Sequence, residues 1–80
     1  MVFNGLYSGK IITGELLIEL GFIVNGTSNF MVRYVMGEFT VNLLFSGEVD
    51  IFHTFNHIKR YSDNNLVYDD LLALYNLLCK

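Results

Sequence analysis

His53 and His57, in the stretch HTFNHIKRY, stand four residues apart. On a helix that spacing places two imidazoles on one face, ready to share a metal ion. On a strand the same residues lie roughly 13 Å apart at ~3.3 Å per residue, too far for one ion. The alternation over residues 49–55 reads as a strand. No cysteine or third histidine is close by, and Asp50 is the one near acid. The expectation is therefore no metal and no cofactor, with His53 partly buried on the core face and His57 at the surface. Asp63, Asp69 and Asp70 form a second candidate group, for acid–base work. Adjacent residues on a helix point ~100° apart, so Asp69 and Asp70 do not converge on one atom, and a place near a helix start explains them. Lys59-Arg60 reads as a solvated sheet rim. Gly5, Gly9 and Gly14 lack the strand–loop–helix context of a phosphate loop, and Ser8, Thr13 and Ser28 have no triad partners. No catalytic residue emerges, and the expectation is a protein that is not an enzyme.

The elements that position these residues are readable from periodicity. TGELLIELGF predicts a short helix over about 14–20, with Thr13 as cap, Glu15 in the first turn, Leu16, Leu17 and Leu20 on one face, and Gly21 as a left-handed terminator. From Phe22 the period changes to two. FMVRYVM sets Phe30, Val32, Tyr34 and Met36 on one side. FTVNLLF does the same for Phe39, Val41, Leu43 and Phe45, and VDIFHTF for Val49, Ile51, His53 and Phe55. Gly37-Glu38 suits a two-residue hairpin turn that pairs Met36 with Phe39, Tyr34 with Val41 and Val32 with Leu43. A Ser46-Gly47-Glu48 loop would pair Phe45 with Val49, but its glycine then sits second where the third position needs it, which calls for a bulge. Further short strands fit 22–26 and 56–60. Ser62, Asp63, Asn64 and Asn65 are good cap types before a C-terminal helix whose stripe is Val67, Leu71, Leu74 and Leu78, widened by Leu72, Tyr75 and Leu77. The fold class is α+β: a short N-terminal helix, an antiparallel meander of three to five strands, and a C-terminal helix packed on the sheet, in one domain over 1–80.

Composition limits the function. The chain is 52% hydrophobic and 16% charged, with a net charge of −3, so it lacks the lysine and arginine that neutralise phosphates, and specific DNA binding is not expected. The lone Cys79 permits no internal disulfide and fits a reducing cytoplasm. No secretory leader is evident in Met1 to Ser8, and no stretch reaches the ~18 apolar residues of a membrane span. So hydrophobic a chain of this size has apolar surface to spare. With Val32, Leu43 and Ile51 facing the core, Met31, Val35, Leu44 and Phe52 fall on the opposite sheet face. Either residues 1–12 cover that face or it meets a partner, a second copy or another protein.

Two segments carry a resemblance. Thr13, Glu15, Leu16, Leu17, Gly21 and Phe22, then Tyr61, Leu71, Leu74, Tyr75 and Leu78 after aromatic-rich strands, resemble a group of small phage and mobile-element accessory proteins. The likeness spans about 13–78, and SDNN before the last helix is a departure from it. What the resemblance implies is provenance in a phage-like genome. Small size, mild acidity, spare apolar surface and missing catalysis then make the expected role an anti-CRISPR-like inhibitor. It would act in the host cytoplasm by binding a host-defence protein complex through Met31, Val35, Leu44 and Phe52. The alternative is a homodimeric structural or regulatory module with no defence role.

Overall fold

Thr13 opens the first helix: its Oγ1 accepts the Leu16 N–H at 3.2 Å, and α1 runs Gly14–Leu20. Gly21 ends it at φ 108°, where the Gly21 N–H donates to the Ile18 carbonyl and the Phe22 N–H to that of Leu17. The structure is a computed structural model, and it describes residues 5–78. The reading of Cys79 lies outside them. Five strands follow, β1 Ile23–Thr27, β2 Met31–Met36, β3 Phe39–Leu44, β4 Val49–His53 and β5 Asn56–Tyr61. They form one antiparallel sheet in chain order, β1-β2-β3-β4-β5. A left-handed turn at Asp63 and Asn64 leads to α2, Tyr68–Leu78. A helix at each end of an antiparallel meander is the α+β arrangement expected.

The first wide hairpin has the predicted register, with Met36 opposite Phe39, Tyr34 opposite Val41 and Val32 opposite Leu43. Gly37 takes φ 62°, which the turn requires and a Cβ would oppose. The next hairpin keeps a three-residue loop but sits two residues off the expected register. Val49 pairs with Leu43, not Phe45. The loop is Phe45-Ser46-Gly47, so the glycine is third after all, at φ 101°, with its N–H bonded to the Leu44 carbonyl at 3.0 Å. A slip of two preserves the facing of every strand residue and displaces only Phe45, which is exposed in the loop. Phe30 is likewise exposed, in the bend before β2.

One core fills the space between the sheet and the helices. Ile12, Leu16, Leu17, Leu20 and Phe22 meet Phe39, Val41, Val49 and Ile51 from the sheet and Leu66, Tyr68 and Leu71 from the C-terminal segment. Val67 is not on α2: it pairs with Ile11 in an isolated bridge before the helix begins. Leu74 and Tyr75 are only partly buried, against the margin of the core. The cap types Ser62–Asn65 make the turn rather than the helix start, since Asp and Asn tolerate the left-handed backbone found at Asp63 and Asn64.

Candidate functional site

Strand pairing places Met31, Val35, Leu44 and Phe52 together on the sheet face turned away from both helices. Met31 lies opposite Leu44, and Val35 opposite Thr40, which lies opposite Phe52. They do not form the single apolar sheet surface that the sequence implies. A polar row crosses between the two groups, Arg33 beside Asn42, Asn42 beside Asp50, and Asp50 beside Arg60. Asn42 and Asp50 are 4% and 7% exposed although no helix covers them. Their neighbours lie over them: Arg33 Nε donates to Asn42 Oδ1 at 3.3 Å, and Arg60 and His57 reach Asp50.

Residues 5–12 do not cover this face. They lie on the helix side, where the Tyr7 ring packs tilted against Tyr68, centroids 5.6 Å apart, and its hydroxyl donates to Glu19 at 3.1 Å. The Asp69 carboxylate accepts the Gly9 N–H at 2.8 Å and the Ser8 hydroxyl at 2.9 Å. These two bonds, the Gly9 N–H foremost, hold the Asp69 carboxyl below the usual range. Asp69 is thus a tether for the N-terminal segment.

The stretch that first promised chemistry is a hairpin. β4 ends at His53, Thr54 and Phe55 both take positive φ (50° and 68°), and His53 pairs back with Asn56. Positive φ at both turn residues is the type I′ pattern. The strand is therefore two residues shorter than 49–55. His57 lies opposite Phe52 while His53 lies beside Phe39, so the two imidazoles occupy opposite faces of the sheet and cannot hold one ion. Among the described residues no group of three or more His, Cys, Asp or Glu side chains could hold a metal ion.

His57 instead joins Asp50, Nε2 to Oδ1 at 3.2 Å, with its ring 5.1 Å from that of Phe52 at 62°. Arg60 grips the same carboxylate with Nε and Nη2 and reaches Glu48 with Nη1 at 3.1 Å. The hydrogen bonds from Arg60 lower the Asp50 pKa against the opposing effect of burial, and His57 adds to the lowering. Asp50 in turn pushes the Arg60 pKa up. Arg60 is therefore built into the sheet; Lys59, on the other face, rests its ammonium 4.8 Å over the Tyr61 ring.

At one end of the open face the two neighbouring hairpin tips are tied together. Thr54 donates its N–H to the Glu38 carbonyl at 3.0 Å and its hydroxyl to Glu38 Oε2 at 3.1 Å. Below them a trough of about 500 Å³ is lined by Asn25, Arg33, Val35, Thr40, Phe52 and Phe55, among others. Phe55 stands at its mouth, 99% exposed. Of the four residues expected on a contact surface, the trough takes Val35 and Phe52; Met31 and Leu44 lie across the polar row. The sequence reading missed Phe55, which it placed beside Ile51, and it missed Arg33. The lone charge in MVRYVM was the available signal for Arg33. HTFNH offers none for the turn, because neither central residue is glycine or asparagine.

No protein-family model matches the chain, and neither the curated proteins nor the solved structures give a match. Among the described residues no helix is long and apolar enough to cross a membrane.

Proposed function

We propose that this protein is a binding protein that docks the trough end of its open sheet face, with Phe55 as the projecting anchor, onto another protein. Phe55 carries the reading. A phenylalanine in the left-handed region costs about 1–2 kcal/mol, and a fully exposed ring returns nothing to the core. Strain of this kind gathers at functional sites, and aromatic residues are the usual anchors of interfaces. Phe52 and Val35 supply apolar floor beside it. The resemblance to phage accessory proteins supports a phage-like provenance, and with the small size and mild acidity of the chain it favours a host-defence complex of the CRISPR type as the partner and inhibition by occupying its surface as the role.

The test is plating of a targeted phage on a host with an active CRISPR-type system. Expression of the protein is expected to restore plaques. Phe55→Ala and Phe52→Ala are expected to lose that effect while keeping a cooperative melt. Expression that never restores plating on the hosts tried overturns the inhibitor role. A variant that melts normally and still restores plating overturns the docking site.

A homodimer has its own observation. Both edge strands carry a register irregularity, but the β1 edge, Ile23–Thr27, carries no charged residue and exposes Ile23 and Val24, whereas the β5 edge carries Lys59 and Arg60. Sedimentation of the wild type against Val24→Lys distinguishes pairing through β1 from a monomer.

A further inference from the structure

Among the described residues, Arg33 is the one cation lining the trough. Its Nε is held by Asn42 Oδ1, and among the described residues neither terminal nitrogen has a hydrogen bond or ion pair. The only acid among the described lining residues, Glu38, accepts the Thr54 hydroxyl and makes no ion pair with Arg33. The site therefore combines a planar fork, aimed by its fixed Nε, with the apolar surfaces of Val35, Phe52 and Phe55 and the amides of Asn25 and Asn42. We infer that the trough binds a segment of a partner protein in which a carboxylate side chain neighbours an aromatic one. The carboxylate takes the two free nitrogens of Arg33, and the ring lies against Phe52 and Phe55. The inference rests on the docking reading above and names its partner's chemistry.

Charge complementarity selects this occupant. One guanidinium matches one carboxylate in shape and charge. A phosphate strand needs several cations, and here Glu38 stands at the rim, Glu48 and Asp50 on the same face, in a chain of net charge −3.

The experiment uses blocked dipeptides titrated into isotopically labelled protein and followed by chemical-shift changes, with no partner present. Acetyl-Phe-Glu-amide is expected to shift the resonances of Arg33, Phe52 and Phe55, and to bind about tenfold tighter than acetyl-Phe-Gln-amide, the scale of one charge-assisted pair. Arg33→Gln should equalise the two peptides and Arg33→Lys should restore part of the difference, while Phe55→Ala weakens both alike. Melting curves establish that each variant is folded. Equal binding of the Glu and Gln peptides to the wild type, or shifts outside the trough, overturns the inference. So does tighter binding of acetyl-Phe-phosphoserine-amide. A failure here with phage plating still restored removes the carboxylate ligand alone and leaves the docking surface standing.

Discussion

Arg60 holds Asp50 from the adjacent strand with two parallel hydrogen bonds, Nε to Oδ1 at 2.7 Å and Nη2 to Oδ2 at 2.8 Å. This pair, with His57 on the same oxygen, lets a carboxylate lie almost fully buried on a sheet face that no helix covers.

The pH dependence follows from the direction of the shift. The Asp50 pKa is lowered from 3.8, so its contribution is complete above that value and disappears as the pH falls through the lower folded value. Asp50→Asn should therefore melt several degrees below wild type at pH 7. The gap should narrow on acidification below about pH 4, the unfolded value of an aspartate, and close once Asp50 is protonated in the fold. Thermal melts at stepped pH check this, and a gap that stays constant into strong acid would refute it.

Leu71 is fully buried, whereas Leu74 lies at the margin of the core. Leu71→Ala should cost about 2–5 kcal/mol, enough to threaten folding in so small a chain. Leu74→Ala should cost less, about 1–2 kcal/mol, because its cavity opens to water. Urea unfolding of both variants gives the order; the reverse order would mean that α2 is turned on its axis.

Phe55→Gly relieves the backbone at the hairpin tip. It should raise stability by about 1 kcal/mol, since glycine accepts the left-handed conformation freely, and at the same time abolish partner binding. Opposite signs for stability and binding mark a residue kept for contact. A variant that loses stability would show that the exposed ring supports the turn.

The fold was legible where local chemistry was conventional. Thr13, Gly21 and the Gly37-Glu38 turn each announce their geometry, and they delivered α1 and the β2–β3 register. The Gly47 loop was legible in type but not in position, because alternation persists through Leu44 and Phe45 and hides where pairing stops. Thr54-Phe55 was hidden altogether, since a turn built from residues that dislike it leaves no mark in the sequence. The candidate site suffered most from this. Alternation correctly set Val35 and Phe52 on the open face, but Asn42 is buried there with a hydrogen bond from Arg33, and that depends on the tertiary arrangement.

Because the strands pair in chain order, each one finds its neighbour by closing a short loop, which costs little entropy and favours rapid folding. The exception is the bridge between Ile11 and Val67, near opposite ends of the chain. With the Asp69 tether to Ser8 and Gly9, it is a long closure, costlier in loop entropy than any of the hairpins. The sheet can thus assemble as a series of hairpins, while Ile12 enters the core only when the two ends of the chain meet. The open sheet face is built from the short closures alone; the hydrophobic interior needs the long one as well.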